Sequence, residues 1–380
     1  MTIGIDIRVL ARGTRTGIEE YTLNLLSRLL SLDRNIQYKL FYNAFNKVKL
    51  DYEWSVFPNV ELIEFNLPNR FIFDPLAKFF RTPKIDRSLG GVDVFFAPHF
   101  LLSPVSKKCR KITVFHDLSF EYFPDFFPVR KRFWHNFLNP KQRAKESDGI
   151  ITVSESTKND LVKWYKIPEA KIRTICSGIS DEFVKIPNPK FQNQNIIKKY
   201  NLPERFILYF GTIEPRKNLI GLIKAYEIFR EKYRLNDFKL LIAGSRGWLD
   251  KNIFFVANKS PWRQDIIFSG FVKPEDKAYL YNLASLFVYP SFFEGFGFPP
   301  LEAMSCGVPV ICSNTSSFPE VVGDAALMVD PYNFGEIAWA MKEILSDRNL
   351  ARDLADKGIE HAKNFSWDKC ARETLNFLIT

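Results

Sequence analysis

The chain has 380 residues, too many for one ordinary core and enough for two domains of typical size. Apolar residues make up 46% and charged residues 25%, a balance that excludes a disordered or fibrous chain. Five cysteines with no CxxC pair exclude a disulfide framework and point to a reducing compartment.

Formal net charge is +10. Residues 1–182 carry 28 Lys+Arg against 21 Asp+Glu, and the remainder 25 against 22, so the excess sits in the first half. A basic half suits nucleic acid, anionic lipid or an acidic substrate. No RNP, zinc-finger or helix-turn-helix signature is present, so nucleic acid is set aside. The first residues lack the basic flank and apolar core of a signal peptide. No apolar run approaches the roughly 20 residues of a membrane span, so a cytoplasmic location is expected.

Ile3–Ile7 alternates as a first strand, and Arg12-Gly-Thr-Arg-Thr-Gly17 follows as a glycine-bearing loop. Residues 18–30 then place Tyr21, Leu25, Leu26 and Leu29 on one side of a helix. Strand, glycine loop and helix open a doubly wound α/β domain. The loop is not a GxGxxG fingerprint, so dinucleotide binding is not expected. Residues 38–42, 60–65 and 92–97 read as further strands. Residues 69–84 interleave basic and aromatic side chains, as do residues 129–135. Such stretches suit either an anionic membrane surface or a crossover whose aromatics pack on the sheet.

Residues 111–115 read as a buried strand ending in His116-Asp117. In open α/β sheets the carboxyl ends of strands face the binding crevice, so His116 is well placed for a ligand. Asp117 either orients the imidazole or closes the turn. Residues 149–154 form the next strand, Ser154 is the N-cap of a helix over 155–165, and residues 172–176 are another strand. Residues 1–182 thus read as one Rossmann-like domain, and 183–200, with little periodicity, as a linker.

The second domain, residues 201–365, opens with a strand over 206–211. Arg216-Lys217 follow, and Asn218 caps a helix over 219–229. Two adjacent cations before a helix N-terminus can clamp phosphate. Residues 239–244, 266–272, 309–312 and 326–329 are strands, and 333–345, 350–364 and 367–378 helices. Between 266–272 and 309–312 lies the strand 286–289, then Glu294-Gly-Phe-Gly297, then a helix begun by Pro299-Pro300. The two glycines let a ligand approach the backbone, and the helix start offers N–H groups to phosphate. Glu294 precedes the helix and Glu302 is placed in its first turn.

These residues resemble the retaining glycosyltransferases of family 4. Glu294 and Glu302 match the E-x7-E signature inside the run Tyr289–Met304, and the likeness continues through Ser305–Ile311 to Ser317-Phe-Pro-Glu320. The run "VFHDLSF" around His116 and the run "GTIEPRKN" around Lys217 are similar to further parts of the family. The resemblance spans nearly the whole chain. It implies the GT-B fold, an α/β architecture of two doubly wound Rossmann-like domains facing across a cleft, with the final helix, 366–380, returning to the first domain. It also implies sugar transfer from a nucleotide diphosphate to an acceptor hydroxyl, with retention and with neither metal nor cofactor.

By the same resemblance His116 and Glu294 are catalytic. Arg216, Lys217, Gly17 and Leu301 bind the donor diphosphate; Phe296, Gly297 and Asp117 bind the sugar; Glu302 binds the ribose; Phe271 and Val272 contact the nucleobase. One departure is Thr212, where many members carry Arg, which leaves Arg216 more charge to neutralise. The pattern "TGIEEYT…FHDLSF…GTIEPRKN" is most similar to the bacterial branch that builds mannose- and rhamnose-containing polysaccharides. GDP-mannose is therefore the favoured donor, with UDP-hexose and dTDP-rhamnose as alternatives. A lipid-linked glycan acceptor at the cytoplasmic membrane face would give the basic first half its partner. A nucleotide-sugar epimerase or hydrolase on the same fold needs its own acid/base carboxylates, and no such motif set is present. An inactive sugar-nucleotide-binding scaffold need not keep His116, Arg216, Lys217, Glu294 and Glu302 together.

Overall fold

In a computed structural model that describes residues 1–12, 17–44, 50, 52–192 and 194–380, two parallel sheets organise the chain. The seven-stranded sheet contains β1 Thr2–Asp6, β2 Gln37–Asn43, β3 Val60–Phe65, β4 Val94–Ala97, β5 Arg110–Phe115, β6 Gly149–Thr152 and β7 Ile172–Thr174, in the order β3-β2-β1-β4-β5-β6-β7. The six-stranded sheet contains β8 Phe206–Phe210, β9 Lys239–Ala243, β10 Ile266–Gly270, β11 Leu286–Tyr289, β12 Val310–Ser313 and β13 Leu327–Val329, in the order β10-β9-β8-β11-β12-β13. Parallel strands covered on both faces must be apolar throughout. Accordingly Ile112, Val114 and Phe115 of β5 and all four residues of β11 are buried.

The two sheets share one topology. Strand order reverses between β1 and β4 in the first and between β8 and β11 in the second. Ligands of doubly wound sheets bind outside the strand ends at such reversals. The chain divides into two units. The first comprises Met1–Leu118, Arg130–Gly178 and Phe365–Thr380; the second, Ser119–Val129 and Ile179–Asn364. Residues 183–200, read as a linker, instead group with the second unit and carry the short helices Pro189–Gln192 and Gln194–Lys199.

In the first unit the helix Gly17–Leu32 buries Tyr21, Leu25, Leu26, Leu29 and Leu30 and packs against Trp367–Ile379. The Arg110 guanidinium donates to the carbonyls of Phe377 and Leu378 at 3.2 and 3.1 Å and fixes the end of that terminal helix. Gly178 has no substitute here, because a Cβ would lie 2.1 Å from the Trp367 nitrogen. The helix expected over 155–165 forms in two parts, Glu155–Asp160 and a wider π-helical turn, Leu161–Tyr165. Its cap is as expected, with the Ser154 hydroxyl accepting from the Thr157 N–H at 3.1 Å. No helix among the described residues is long and apolar enough to cross a membrane.

Candidate active site

Both motifs of the second unit follow strands that flank the order reversal. β8 leads to Arg216 and Lys217, and β11 leads to Glu294. Backbone contacts join the two loops: the Phe292 N–H donates to the Arg216 carbonyl at 3.0 Å, and the Ser291 hydroxyl to the same oxygen at 3.1 Å. A shelf of hydroxyls supports the Glu294 loop from beneath. Ser313 donates to the Ser291 carbonyl at 2.7 Å, Thr315 to Phe292 at 3.1 Å, and Ser317 to both Glu294 and Phe296. The serine-rich run after β12 therefore serves the loop that precedes the helix Phe298–Ser305.

Glu294 is the centre of this cluster. One carboxylate oxygen accepts from the Lys217 ammonium at 2.5 Å, the Ser291 hydroxyl at 2.8 Å and the Tyr289 hydroxyl at 3.3 Å. The other lies 2.9 Å from the Arg216 guanidinium, which also bonds Glu214 at 2.8 Å and the Phe293 carbonyl at 2.6 Å. Burial pushes the Glu294 carboxyl up, but Arg216 and Lys217 outweigh it and hold the group at about 2. Burial, helped by Arg216, lowers the Lys217 ammonium below its ordinary range. Sequence reasoning placed the cations on phosphate and the carboxylate on sugar; the structure brings all three side chains into one buried ion cluster.

Gly297 has φ of +100°, which only glycine adopts without strain, and precedes the two prolines as helix N-cap. Leu301 is fully buried, so its side chain cannot face a ligand. Phe296 is buried as well, which leaves its backbone for contact. Glu302 lies in the second turn of its helix rather than the first, because the helix begins at Phe298. The Lys277 ammonium binds one of its oxygens at 2.6 Å and the Tyr281 hydroxyl the other at 2.7 Å. Val272 is buried while Phe271 is 65% exposed, so the two candidate base contacts present different surfaces. Among the described residues no group of three or more His, Cys, Asp or Glu side chains could hold a metal ion.

In the first unit a strand end carries a different kind of group. His116 directly follows β5, and its Nε2 lies 2.8 Å from the Pro98 carbonyl. A carbonyl only accepts, so Nε2 carries the proton and Nδ1 of the neutral ring is an acceptor. Tyr21 meets the imidazole edge-to-face at 4.8 Å. Burial lowers the His116 pKa, against opposing pulls from the Pro98 carbonyl, Asp117 and Glu19. Asp117 thus acts on the imidazole electrostatically. Gly17 opens the helix Gly17–Leu32 at an exposed position, and a Cβ there would meet no atom within 4 Å. Residues 13–16 of its loop lie outside the described residues.

Sequence reasoning missed two features. Glu19 is a buried carboxylate near His116, and its spacing to Thr22 and Leu26 on the buried helix face was the available signal. Residues Ser119–Val129 group with the second unit, where Tyr122 packs on Phe293 at 5.1 Å and Phe126 on Phe292 at 5.7 Å. The aromatic density of Ser119-Phe-Glu-Tyr-Phe-Pro-Asp-Phe-Phe127 announced a packed segment, but not its partner.

Comparison with known proteins gives this arrangement a lineage. Residues 15–183 match the model described as Glycosyltransferase Family 4, and 192–361 the model described as Glycosyl transferases group 1. The "O-antigen chain mannosyltransferase B" of Escherichia coli is 37% identical over 284 residues, covering 74% of this chain and 71% of that protein. The "Serotype-specific mannosyltransferase WbdA" of Escherichia coli is 33% identical over 268 residues, 69% of this chain but only 32% of that longer protein. Among solved structures, "Sucrose-phosphate synthase (tll1590) from Thermosynechococcus elongatus" superposes with a TM-score of 0.76 at 20% identity, over 99% of this chain and 98% of that one. The chain belongs to the glycosyltransferases of family 4 and has the two Rossmann-like units of the GT-B fold class.

Proposed function

We propose that this glycosyltransferase moves mannose from GDP-mannose to a hydroxyl of a lipid-linked glycan, with retention at the anomeric carbon and without a metal. The observation that carries the reading is the 37% identity to an O-antigen chain mannosyltransferase over most of both chains. The lipid-linked acceptor makes an anionic membrane surface a partner of the basic first unit.

The family resemblance implies the chemistry of this reading. The bond from the anomeric carbon to the phosphate oxygen breaks as the bond to the acceptor oxygen forms on the same face. The acceptor proton passes to the departing phosphate, and GDP leaves. Arg216, Lys217 and the Phe298 N–H that precedes Pro299-Pro300 at the start of the helix Phe298–Ser305 stabilise the diphosphate charge. His116 accepts a sugar hydroxyl at Nδ1, Glu294 supports the cationic sugar with the Phe296 and Gly297 backbone, Glu302 accepts from ribose, and the backbone at Phe271 and Val272 meets the base. Glu294 is held by two cations and two hydroxyls, an arrangement that favours an electrostatic role over that of a covalent nucleophile.

The test is a calorimetric panel of GDP, UDP and dTDP with and without chelator, followed by NMR of the product's anomeric configuration. Metal-independent preference for GDP and a retained α-linkage from GDP-mannose are expected. Preference for UDP or dTDP would move the donor to a UDP-hexose or dTDP-rhamnose. Loss of turnover with chelator would overturn the metal-free reading.

A further inference from the structure

Two segments of the first unit, far apart in sequence, meet at one surface. The π-helical turns Asn69–Phe73 and Leu76–Phe80 follow each other, and the helix Val129–Leu138 lies against the second of them. The Lys78 ammonium donates to the Phe137 carbonyl and sits 4.1 Å from the centre of the Phe137 ring. Phe79 meets that ring edge-on at 6.4 Å, and Trp134 stacks on it at 5.4 Å. Phe73 and Ala77 anchor the turns in the core.

The outward side chains of these segments are unusual for a protein surface. Phe71 is 85% exposed, Phe80 73%, Phe133 70% and Phe79 68%, and Ile72 is also exposed. Large apolar side chains in one exposed group mark an interaction site. Basic residues accompany them: Arg130, Lys131 and Arg132 are exposed. Acidic residues are sparse: residues 130–145 contain none, residues 69–84 contain only the buried Asp74, and Glu146, just beyond, is neutralised by Arg81 at 2.7 Å and Arg143 at 3.2 Å. Phenylalanines to enter an apolar layer, with cations for a negative rim, describe the interface of an anionic bilayer. A protein partner of ordinary surface composition explains the rings but not this one-sided charge.

We infer that this face, formed by the turns at 69–80 and the helix at 130–138, docks the first unit onto an anionic lipid surface. Phe71, Phe79, Phe80 and Phe133 insert among the lipid chains, and Arg130, Lys131 and Arg132 meet the phosphates. The surface takes its purpose from the lipid-linked acceptor proposed above, while its geometry stands apart from it.

The test uses the full chain and sedimenting vesicles of phosphatidylethanolamine with phosphatidylglycerol, against vesicles of phosphatidylcholine alone. Binding to the anionic vesicles only is expected. The triple variant Phe71→Ser, Phe80→Ser, Phe133→Ser and the triple variant Arg130→Ser, Lys131→Ser, Arg132→Ser should each lower that binding roughly tenfold or more. Brominated lipid should quench fluorescence of the full chain, and the quench should shrink in Trp134→Phe. Each variant is checked for an unchanged thermal transition and for unchanged transfer to a short water-soluble acceptor. Equal binding by wild type and both triple variants would overturn the assignment, as would no binding of wild type to anionic vesicles. A wild-type dimer that the phenylalanine variant converts to monomer would reassign the face to a second copy of the chain. Failure of wild type to transfer mannose at all, with vesicle binding intact, would sink the donor reading and leave the surface standing.

Discussion

The two units share a strand order but solve opposite electrostatic problems at their strand ends. The second unit gathers charge: Arg216 and Lys217 converge on Glu294, with Glu214 behind them. The first unit presents a neutral imidazole, its proton committed to the Pro98 carbonyl and its pKa lowered by burial. Under the function proposed above, each environment suits a different ligand group. A diphosphate needs fixed positive charge, which is tolerable in a buried site only when carboxylates balance it beforehand. A sugar hydroxyl needs an acceptor that does not compete for the same cations. One strand order thus carries two kinds of strand-end chemistry by changing which residues follow the strands, not by changing the strands.

Breaking the charge balance should have the largest effect. Glu294→Ala removes the carboxylate and leaves Arg216 and Lys217 facing each other in a buried site, with only Glu214 in compensation. Unfolding by denaturant should show a loss of about 3–5 kcal/mol, the usual result of breaking one side of a buried pair. A loss below about 1 kcal/mol would mean that water or rearrangement relieves the cluster, and that the pairing is not structural. The same group predicts a pH dependence. Its folded pKa of about 2 lies below the ordinary 4.5, so its contribution is complete above 4.5 and is lost as pH falls toward 2. Glu294→Gln should be flatter than wild type across that window in denaturation curves. Parallel curves would assign the acid sensitivity elsewhere.

Lys217→Ala is the second test, and it separates binding from stability. Glu294 keeps Arg216, so the fold should suffer less than in Glu294→Ala. GDP affinity by calorimetry should fall by about 1.5–3 kcal/mol, the contribution of a charge-assisted contact. Unchanged affinity would confine Lys217 to holding Glu294 and pass the phosphate to Arg216 and the helix N-terminus.

Much of this was legible in the sequence. Most inner strands announced themselves as short apolar runs, because parallel sheets covered on both faces need them, whereas the edge strand Val60–Phe65 carries two glutamates and is not buried. Ser154 and Asn218 declared their caps, and Pro299-Pro300 declared a helix start. What the sequence concealed was pairing. Nothing in the spacing of Arg216, Lys217 and Glu294 says that loops 77 residues apart meet, since the contact exists only because β8 and β11 are neighbours. Lys277 was passed over for the same reason: its value lies in Glu302, which is 25 residues away on another helix. Glu302 itself was placed one turn early because helix starts are set by backbone angles, here at Gly297, more than by the prolines that follow. The exposed phenylalanines at 71, 79, 80 and 133 were visible as a composition, but exposure is a property of the fold.

The smallest expected effect tests whether the two units are equally demanding of their loops. Ser154 caps its helix from an extended backbone, φ −155°, and its hydroxyl serves the Thr157 N–H and the Thr157 hydroxyl. Ser154→Ala should cost about 1 kcal/mol, as the loss of a cap ordinarily does. Asn218 caps from the left-handed region, φ 56°, where its side chain also donates to the Pro331 carbonyl at 2.7 Å. Asn218→Ala loses the cap and a buried hydrogen bond while forcing alanine into a strained backbone, so about 2–3 kcal/mol is expected. The ordering matters more than either value. If the serine change costs as much as the asparagine change, the loop that carries Arg216 and Lys217 is no more tightly specified than an ordinary helix start. If asparagine costs more, the second unit holds its cations by backbone geometry as well as by charge, the preorganisation that the proposed diphosphate site would need.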